Sequence, residues 1–259
     1  MITFLSPVSE QMSASFPPEA HPYRHLERCI EKHLFTGAAV LDIGCGRTAP
    51  NLTSLLDRGM VLYGVDLVDC SVTDERLHLF KNDVCAMIDI PSGSIDIAYS
   101  RAVMEHIADP VSAYREIHRV LKPGGVYIFL TPSIYDYGSI IATLVPNRLH
   151  PKIVRAVEGR AECDVFPTRY RSNSRRQIER LARASGLTVR ELRYMGQYPA
   201  YLMFNRVLFW LGSLYQHMIA SVPFLRPLQG WIFCVLEKPR DGLPAQAPTA
   251  LPGRREFIH

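Results

Sequence analysis

The chain has 259 residues, of which 47% are hydrophobic and 21% are charged, and its formal net charge is +4. This length suits one large domain with an ample core. The near balance of charge gives no case for a nucleic-acid partner, so we predict none. Six scattered cysteines lack the paired spacing of a zinc site or a disulfide framework. We therefore predict no metal site and a reducing, cytoplasmic location.

The first half of the chain predicts alternating helices and strands. Residues 1–20 contain three prolines and are predicted to form a flexible arm. Residues 21–34 have the apolar spacing of a helix. The apolar run 38–43 ends in glycines, which is typical of a buried parallel strand that enters a tight turn. A helix is predicted at 50–58, where Gly59 ends it. Further strands are predicted at 61–65, 77–80 and 95–100.

The second half continues this alternation less regularly. Asp109 and Pro110 predict the start of a helix, because Asp caps helices and Pro suits the first turn. A strand at 126–130, a helix at 173–185 and strands at 187–194 and 231–237 follow. We predict an α/β, Rossmann-like doubly wound sheet of seven strands, mostly parallel with an antiparallel last strand. The domain spans 21–238, and the proline-rich residues 239–259 form a disordered tail.

Two glycines follow the first strand directly and predict a ligand site. Gly44 permits a turn that a Cβ atom would block, and Gly46 lets the backbone approach a ligand closely. Such a turn lies at the carboxyl ends of the strands, where doubly wound sheets bind ligands. Asp66 ends the second strand, where its carboxylate can accept hydrogen bonds from ribose hydroxyls. The same residues also satisfy the dinucleotide fingerprint G-x-G-x-x-A, so both ligand classes remain open at this point.

Three further features favour an adenosyl ligand with a cationic end over a dinucleotide. Asp42 lies in the strand before the glycines, where it would repel a pyrophosphate. Asn82, Asp83 and Val84 follow the third strand, where a side-chain acceptor and a backbone N–H can contact an adenine edge. Pro50 follows the turn in place of a glycine-rich helix start.

Five ordered motifs carry a family resemblance. They are VLDIGCG (40–46), YGVDL (63–67), NDV (82–84), GSIDIAYSRAVMEHIADP (93–110) and HRVLKPGGVYIFLTPS (118–133). Together they resemble the class I S-adenosylmethionine-dependent methyltransferases, in particular the type 11 group that includes quinone-biosynthesis enzymes. The resemblance covers about residues 38–133 and implies S-adenosyl-L-methionine as the cofactor. It implies Asp42, Gly44 and Gly46 as binding residues for the methionine part and Asp66 for the ribose. Leu67, Asp83 and Val84 are implied for the adenine, and Ser100 lies beside the amino-acid end. Cys45, between the two glycines, is also implied as a cofactor-binding residue.

Candidates for acid–base chemistry and acceptor binding are less specific. His106 follows the fourth strand and is the first candidate general base, and His150 is the second. An amine acceptor would need no base, and His106 could instead pack beneath a lid. Tyr135 and Tyr137 are predicted to line an acceptor pocket or to pack a lid. Arg169 and Arg171 are candidates for gripping a phosphate or carboxylate, although ordinary surface arginines fit equally well.

Two segments are predicted to be insertions on the acceptor side, at 134–172 and 197–229. Residues 207–225 carry no formal charge, and an arginine stands at each side of them. This segment is either a packed lid or a membrane-surface contact through 201–225, at the inner face of the membrane. Residues 148–193 contain twelve Lys or Arg against five acids, which suits an anionic substrate or surface.

The sequence thus predicts a methyltransferase that acts at oxygen on a small-molecule or lipid-linked acceptor. One alternative is a nicotinamide-dependent oxidoreductase, and another is a catalytically inactive S-adenosylmethionine-binding scaffold. The identity of the acceptor, the methylated atom and the oligomeric state remain open.

Overall fold

The protein is described from a computed structural model that covers residues 21–136, 166–196, 199 and 206–240. Its helices are α1 (Pro22–His33), α2 (Pro50–Thr53), α3 (Pro110–Val120), α4 (Arg175–Ser185) and α5 (Arg206–Ser221), with 3-10 helices at Leu56–Arg58 and Pro223–Leu228. Its strands are β1 (Ala39–Ile43), β2 (Val61–Asp66), β3 (Leu77–Lys81), β4 (Ile95–Arg101), β5 (Leu121–Pro132), β6 (Thr188–Met195) and β7 (Trp231–Glu237). The predicted arm at 1–20 lies outside the described residues, as does all but the first two residues of the predicted tail.

The seven strands form one sheet in the order β3-β2-β1-β4-β5-β7-β6. β7 is antiparallel to both of its neighbours, while the remaining neighbouring pairs are parallel. The predicted Rossmann-like sheet with an antiparallel last strand is therefore confirmed. The strand order reverses between β1 and β4, so the carboxyl ends of these two strands flank a crevice.

Local sequence signals explain where the helices begin. The Asp109 carboxylate accepts hydrogen bonds from the backbone N–H groups of Val111 and Ser112, at 3.1 and 3.2 Å, as predicted for this cap. The Ser174 hydroxyl accepts from Gln177 N at 3.4 Å at the start of α4, and Gly186 ends that helix in the left-handed region at φ +82°.

The predicted helix at 50–58 is wrong in its length. α2 covers only Pro50–Thr53, and a 3-10 turn follows at Leu56–Arg58. The Thr53 and Ser54 hydroxyls donate to backbone carbonyls within the same segment, at 3.0 and 2.6 Å. Such local bonds compete with a regular helix.

Both faces of the sheet are covered, which gives two apolar layers. One layer packs α3 and α4 against the sheet and includes Tyr114 and Phe129. The other packs α1 and the α2 segment against the opposite face and includes Val40 and Leu62. Because helices cover both faces, a ligand is directed to the edges of the sheet.

β6 ends and β7 begins at the carboxyl edge of the sheet, and α5 and the 3-10 helix at Pro223–Leu228 are the described helices between them. Ser133, just after β5, donates its hydroxyl to Pro227 O at 2.9 Å. This bond joins the 3-10 helix to the carboxyl edge at β4 and β5, which we call the rim. In the ranges that the structure describes, no helix has both the length and the apolar character needed to cross a bilayer.

Candidate active site at the carboxyl edge of the sheet

The turn after β1 requires glycine for two different reasons. Gly44 has φ +78°, and a Cβ atom there would lie 2.4 Å from Val103 Cγ2. Gly46 has φ +72°, but a Cβ atom there would meet no atom within 4 Å. The protein itself therefore fills the space beside Gly44, whereas the space beside Gly46 is open to a ligand.

Asp66 lies at the end of β2 and faces this turn. One carboxylate oxygen accepts from Gly46 N at 2.8 Å, and the other accepts from Val68 N at 3.1 Å. A carboxylate has about four acceptor positions, so both oxygens keep capacity for hydroxyl donors. The backbone bonds fix the orientation of the carboxylate beside the open space at Gly46.

The next loops along the edge carry the residues that were assigned to adenine. Leu67 is 53% exposed directly after Asp66, which leaves an apolar surface for a ring. Val84 is buried, and Asp83 is exposed with its carboxylate accepting from Cys85 N at 2.8 Å. These residues follow β2 and β3, which are adjacent strands, so all three lie along one side of the crevice.

Asp42 is buried within β1, with 2% of its surface exposed. Its carboxylate accepts from Asn51 Nδ2 at 3.2 Å. Burial raises the pKa of Asp42 to about 6, and the opposing effects of Asn51 and nearby Arg101 are smaller. The site therefore holds a carboxylate that a neighbouring cation would stabilise.

Tyr99 and Arg101 were not predicted, yet they line a cavity of about 270 Å³ together with Asn51, whose amide donates to Asp42. The Tyr99 hydroxyl is buried near the Asp42 carboxylate, but among the described residues it completes no hydrogen bond. Burial together with that negative charge raises the pKa of Tyr99. The Arg101 guanidinium lies over the Tyr23 ring, 4.9 Å from its centroid. Alternation along β4 places both side chains on the α1 face of the sheet, a signal that sequence reasoning could have used.

Ser100, between these two residues, points to the opposite face. It is fully buried, and its hydroxyl shares a 2.6 Å hydrogen bond with Tyr127 OH. Its side chain is thus engaged in the core on the α3 side, and its backbone is the part that remains at the crevice.

Two thiols lie side by side near the glycine turn. Cys45 Sγ is 3.8 Å from Cys70 Sγ, and Cys70 donates to Gly46 O at 3.4 Å. Burial raises the pKa of the Cys45 thiol far above its ordinary value, so this side chain packs as a small apolar group.

His106 lies at the rim after β4, with 28% of its side chain exposed. Its Nδ1 is 3.3 Å from Pro167 O, and since a carbonyl oxygen only accepts, Nδ1 carries the hydrogen in this contact. Its Nε2 lies 3.8 Å from a Glu105 carboxylate oxygen. Nε2 is therefore the atom that can take up a proton.

A buried network joins this rim to the segment before α4. The rim network consists of Glu105, Thr131 and Asn173. Thr131 donates to Glu105 Oε2 at 3.1 Å, and Asn173 Nδ2 donates to both Thr131 Oγ1 and Pro132 O at 2.8 Å. The Glu105 carbonyl also accepts from Arg169 N at 2.6 Å. No motif indicated this network, because its members are far apart in sequence.

The predicted acceptor-side residues are only partly brought together. Tyr135 is 47% exposed just beyond β5, and Arg169 is exposed beside Glu105. The Arg171 guanidinium donates to Ala108 O at 2.5 Å, so it stabilises the rim as well as facing solvent. The other predicted residues, Tyr137 and His150, lie outside the described residues.

Backbone strain is concentrated at this edge. The non-glycine residues with positive φ in the described ranges are Ala49 at 39°, Ala102 at 54° and Tyr170 at 51°. They follow the glycine turn, follow β4 and adjoin Glu105, respectively. Such strained positions cluster at ligand sites more often than elsewhere. Within the same ranges, no group of three or more His, Cys, Asp or Glu side chains is placed to hold a metal ion.

Comparisons with known proteins find similarity to methyltransferases. A family model described as a methyltransferase domain matches residues 41–129. A ubiquinone biosynthesis O-methyltransferase from Pseudomonas paraeruginosa is 29% identical over 147 residues, which cover 49% of this chain and 63% of that protein. A 24-methylenesterol C-methyltransferase 2 from Oryza sativa subsp. japonica is 26% identical over 227 residues, which cover 80% of this chain and 59% of that protein. The chain thus spans less than two thirds of the length of these curated relatives.

A solved structure supports the fold. Phosphoethanolamine N-methyltransferase 2 from Haemonchus contortus, in complex with S-adenosyl-L-methionine, aligns with a TM-score of 0.53. The two chains are 18% identical, and the alignment covers 84% of this chain and 53% of the other. At this identity the similarity concerns architecture alone.

Proposed function

This chain carries a class I S-adenosylmethionine-dependent methyltransferase domain of the type 11 group, and from that premise we propose that it methylates a small-molecule or lipid-linked acceptor at oxygen. One observation carries the proposal. Beside Gly46 an open space faces an Asp66 carboxylate whose orientation two backbone N–H groups fix. A ribose with two free hydroxyls suits this arrangement.

The residues present fit S-adenosyl-L-methionine from end to end. Asp66 would accept from the ribose hydroxyls, and the exposed Leu67 would pack on the adenine with Asp83 and Val84 at its edge. The buried negative charge of Asp42 favours the cationic amino-acid end. The Arg101 guanidinium, beside the same cavity, suits the carboxylate of that end.

A dinucleotide fits the same residues poorly. α2 has four residues and begins after a strained Ala49, so it is too short to direct a helix N-terminus at a pyrophosphate. Asp66 already occupies the Gly46 N–H, which a phosphate oxygen would need. These features argue against the nicotinamide-dependent alternative.

S-adenosylmethionine supplies an electrophilic methyl group on sulfur, so the protein must mainly align the acceptor and exclude water. A hydroxyl acceptor gains from a base, and His106 Nε2 would accept its proton at the rim. The ubiquinone-pathway relative supports oxygen as the methylated atom, and the sterol relative keeps carbon as the competing outcome.

The cofactor assignment is tested by calorimetric titration with S-adenosylhomocysteine and, in parallel, with NADH. We expect binding of the first only. Asp66→Asn should lower the affinity about thirtyfold, because it weakens the hydrogen bonds to the ribose. Asp69→Asn is the matched control, since the Asp69 carboxylate is exposed and pairs with Lys81. Binding heat with NADH, together with none with S-adenosylhomocysteine, would refute the proposal.

A methyl-transfer assay distinguishes an active enzyme from an inactive scaffold that only binds the cofactor. Transfer of labelled methyl groups into a lipid extract or a phenolic acceptor is expected. His106→Ala should reduce turnover about a hundredfold while leaving cofactor affinity unchanged. Unchanged turnover would remove His106 from the mechanism, and cofactor binding without any turnover would favour the scaffold.

A further inference from the structure

The outer face of α5 is unusually apolar for a surface helix. Four of its exposed apolar side chains, Val207, Trp210, Leu214 and Met218, recur every three or four residues and therefore lie on one side of the helix. We call the exposed apolar side chains of α5 the outer stripe. Its members, each exposed by 38 to 67%, are Val207, Leu208, Trp210, Leu211, Leu214 and Met218. Phe224, in the following 3-10 helix, is 80% exposed.

The inner face of α5 is more polar than the outer face. Its buried residues are Phe209, Ser213, Gln216 and Ile219. The Ser213 hydroxyl donates to Phe209 O at 2.8 Å, and Gln216 Oε1 is buried without a hydrogen-bond partner among the described residues. A helix of a soluble protein normally has the reverse polarity, with its apolar stripe against the core. The outer stripe is thus suited to an apolar environment outside the domain.

We infer that this outer stripe, with Phe224, docks on the surface of an anionic lipid bilayer. Charge complementarity selects this occupant. Residues 192–236 contain no Asp or Glu and three arginines, and two of these, Arg206 and Arg226, are exposed at either end of the stripe. Sixteen helical residues extend about 24 Å, which suits a helix lying in the interface plane. Trp210 has an amphipathic ring, and such rings favour the interface between the membrane and water.

Docking would orient the candidate active site relative to the membrane. This part of the inference rests on the proposed function. α5 lies between β6 and β7 in the chain, and these strands end and begin at the carboxyl edge where the cofactor and acceptor residues are placed. The Ser133–Pro227 hydrogen bond holds this segment against the rim. A bilayer on the outer stripe therefore lies on the acceptor side of the domain, and the acceptor would be a lipid whose reactive head reaches the rim from the membrane.

Vesicle flotation of the full chain tests the inference. We expect binding to vesicles of phosphatidylcholine with about 30% phosphatidylglycerol, which supply an anionic surface. Trp210→Glu combined with Leu214→Glu should reduce the bound fraction by about tenfold or more. Arg206→Gln should reduce it about fivefold, and high salt should reproduce that loss. Phe35→Glu is the control, because Phe35 is 53% exposed and precedes β1, at the opposite edge of the sheet.

Each outcome decides the matter. The inference is overturned if the wild-type chain stays unbound, if Phe35→Glu matches the stripe variant, or if light scattering shows a dimer that the stripe variant abolishes. In the last case a second copy covers the stripe. Calorimetry with S-adenosylhomocysteine on each variant shows that the fold is intact. It also separates a failure of docking from a failure of the proposed function, since cofactor binding does not need the bilayer.

Discussion

The two ends of the crevice are held by different kinds of interaction. At β1 and β2, backbone groups form the site, through the glycine turn and the N–H groups that orient Asp66. At β4 and β5, the buried side chains of the rim network hold the structure together. Substitutions should therefore act through backbone strain and cofactor contact at the first end, and through lost hydrogen bonds at the second.

The largest effect is expected for Gly44→Ala. The new Cβ atom would clash with Val103 while the backbone keeps φ +78°, so the free energy of unfolding should fall by about 3 to 4 kcal/mol. Urea denaturation measures this loss. Gly37→Ala is the control, since Gly37 has φ +87° with open space around it and should cost only about 1 to 2 kcal/mol. Equal losses would show that steric contact with Val103 is unimportant.

Asp42→Asn, at the β1 and β2 end of the crevice, should remove the free-energy cost of burying a charged carboxylate. Between the ordinary pKa of 3.8 and the folded pKa of about 6, the folded state binds more protons than the unfolded state. The contribution of Asp42 to stability therefore falls as the pH rises through this window, and the penalty is complete above it. At 1.36 kcal/mol per pKa unit, the penalty approaches roughly 3 kcal/mol.

Urea denaturation of the wild type and Asp42→Asn at pH 4 and pH 7.5 checks this expectation. The variant should gain stability relative to the wild type as the pH rises, because asparagine cannot ionise. Glu116→Gln is a suitable contrast, since pairing with Arg119 lowers the pKa of Glu116 and its contribution changes in the opposite direction. A stability difference that does not vary with pH would contradict the burial argument.

Asn173→Ala tests the side-chain-built end. Its amide donates two 2.8 Å hydrogen bonds, so the variant leaves buried acceptors at Thr131 and Pro132 unsatisfied. We expect a loss of about 2 kcal/mol in thermal or urea unfolding, with little change in cofactor affinity. Ser174→Ala, in the same segment, removes a helix cap and a 3.1 Å hydrogen bond to Gln177 Oε1, and it should cost about 1 kcal/mol. A large loss of cofactor affinity would show that the two ends of the crevice are coupled.

The smallest expected effect is on ligand selectivity. Arg101→Gln should lower the affinity for S-adenosylhomocysteine about tenfold and leave the affinity for 5′-methylthioadenosine unchanged, because only the former has a carboxylate. Calorimetry measures both affinities. Arg58→Gln is the control, since Arg58 lines the same cavity but is already paired with Glu31. An equal loss of affinity for both ligands would show that Arg101 supports the structure of the site and does not bind the carboxylate.

Sequence reasoning predicted the class of the sheet and the glycine turn because these depend on local signals. A buried strand that ends in glycine, or a helix that starts at Asp109, is defined by residues that are neighbours in the chain. The length of α2 was wrong because the Thr53 and Ser54 hydroxyls form local bonds that propensity does not weigh.

The rim could not be predicted in this way. The rim network joins residues up to 68 positions apart, since Thr131 links Glu105 to Asn173. Strand alternation would have placed Arg101 and Tyr99 on one face of the sheet and Ser100 on the other, but a motif match carries no such side-chain direction. The fold is thus predictable from the chain, while the surroundings of each site residue depend on packing.

The antiparallel last strand has a consequence for how the connection before it can vary. Because β6 ends and β7 begins at the same edge, the connection between them starts and finishes at that edge. Lengthening such a connection costs little free energy, since closure entropy grows only with the logarithm of loop length. We therefore expect that this connection can change in length and sequence while the glycine turn and Asp66 keep their positions.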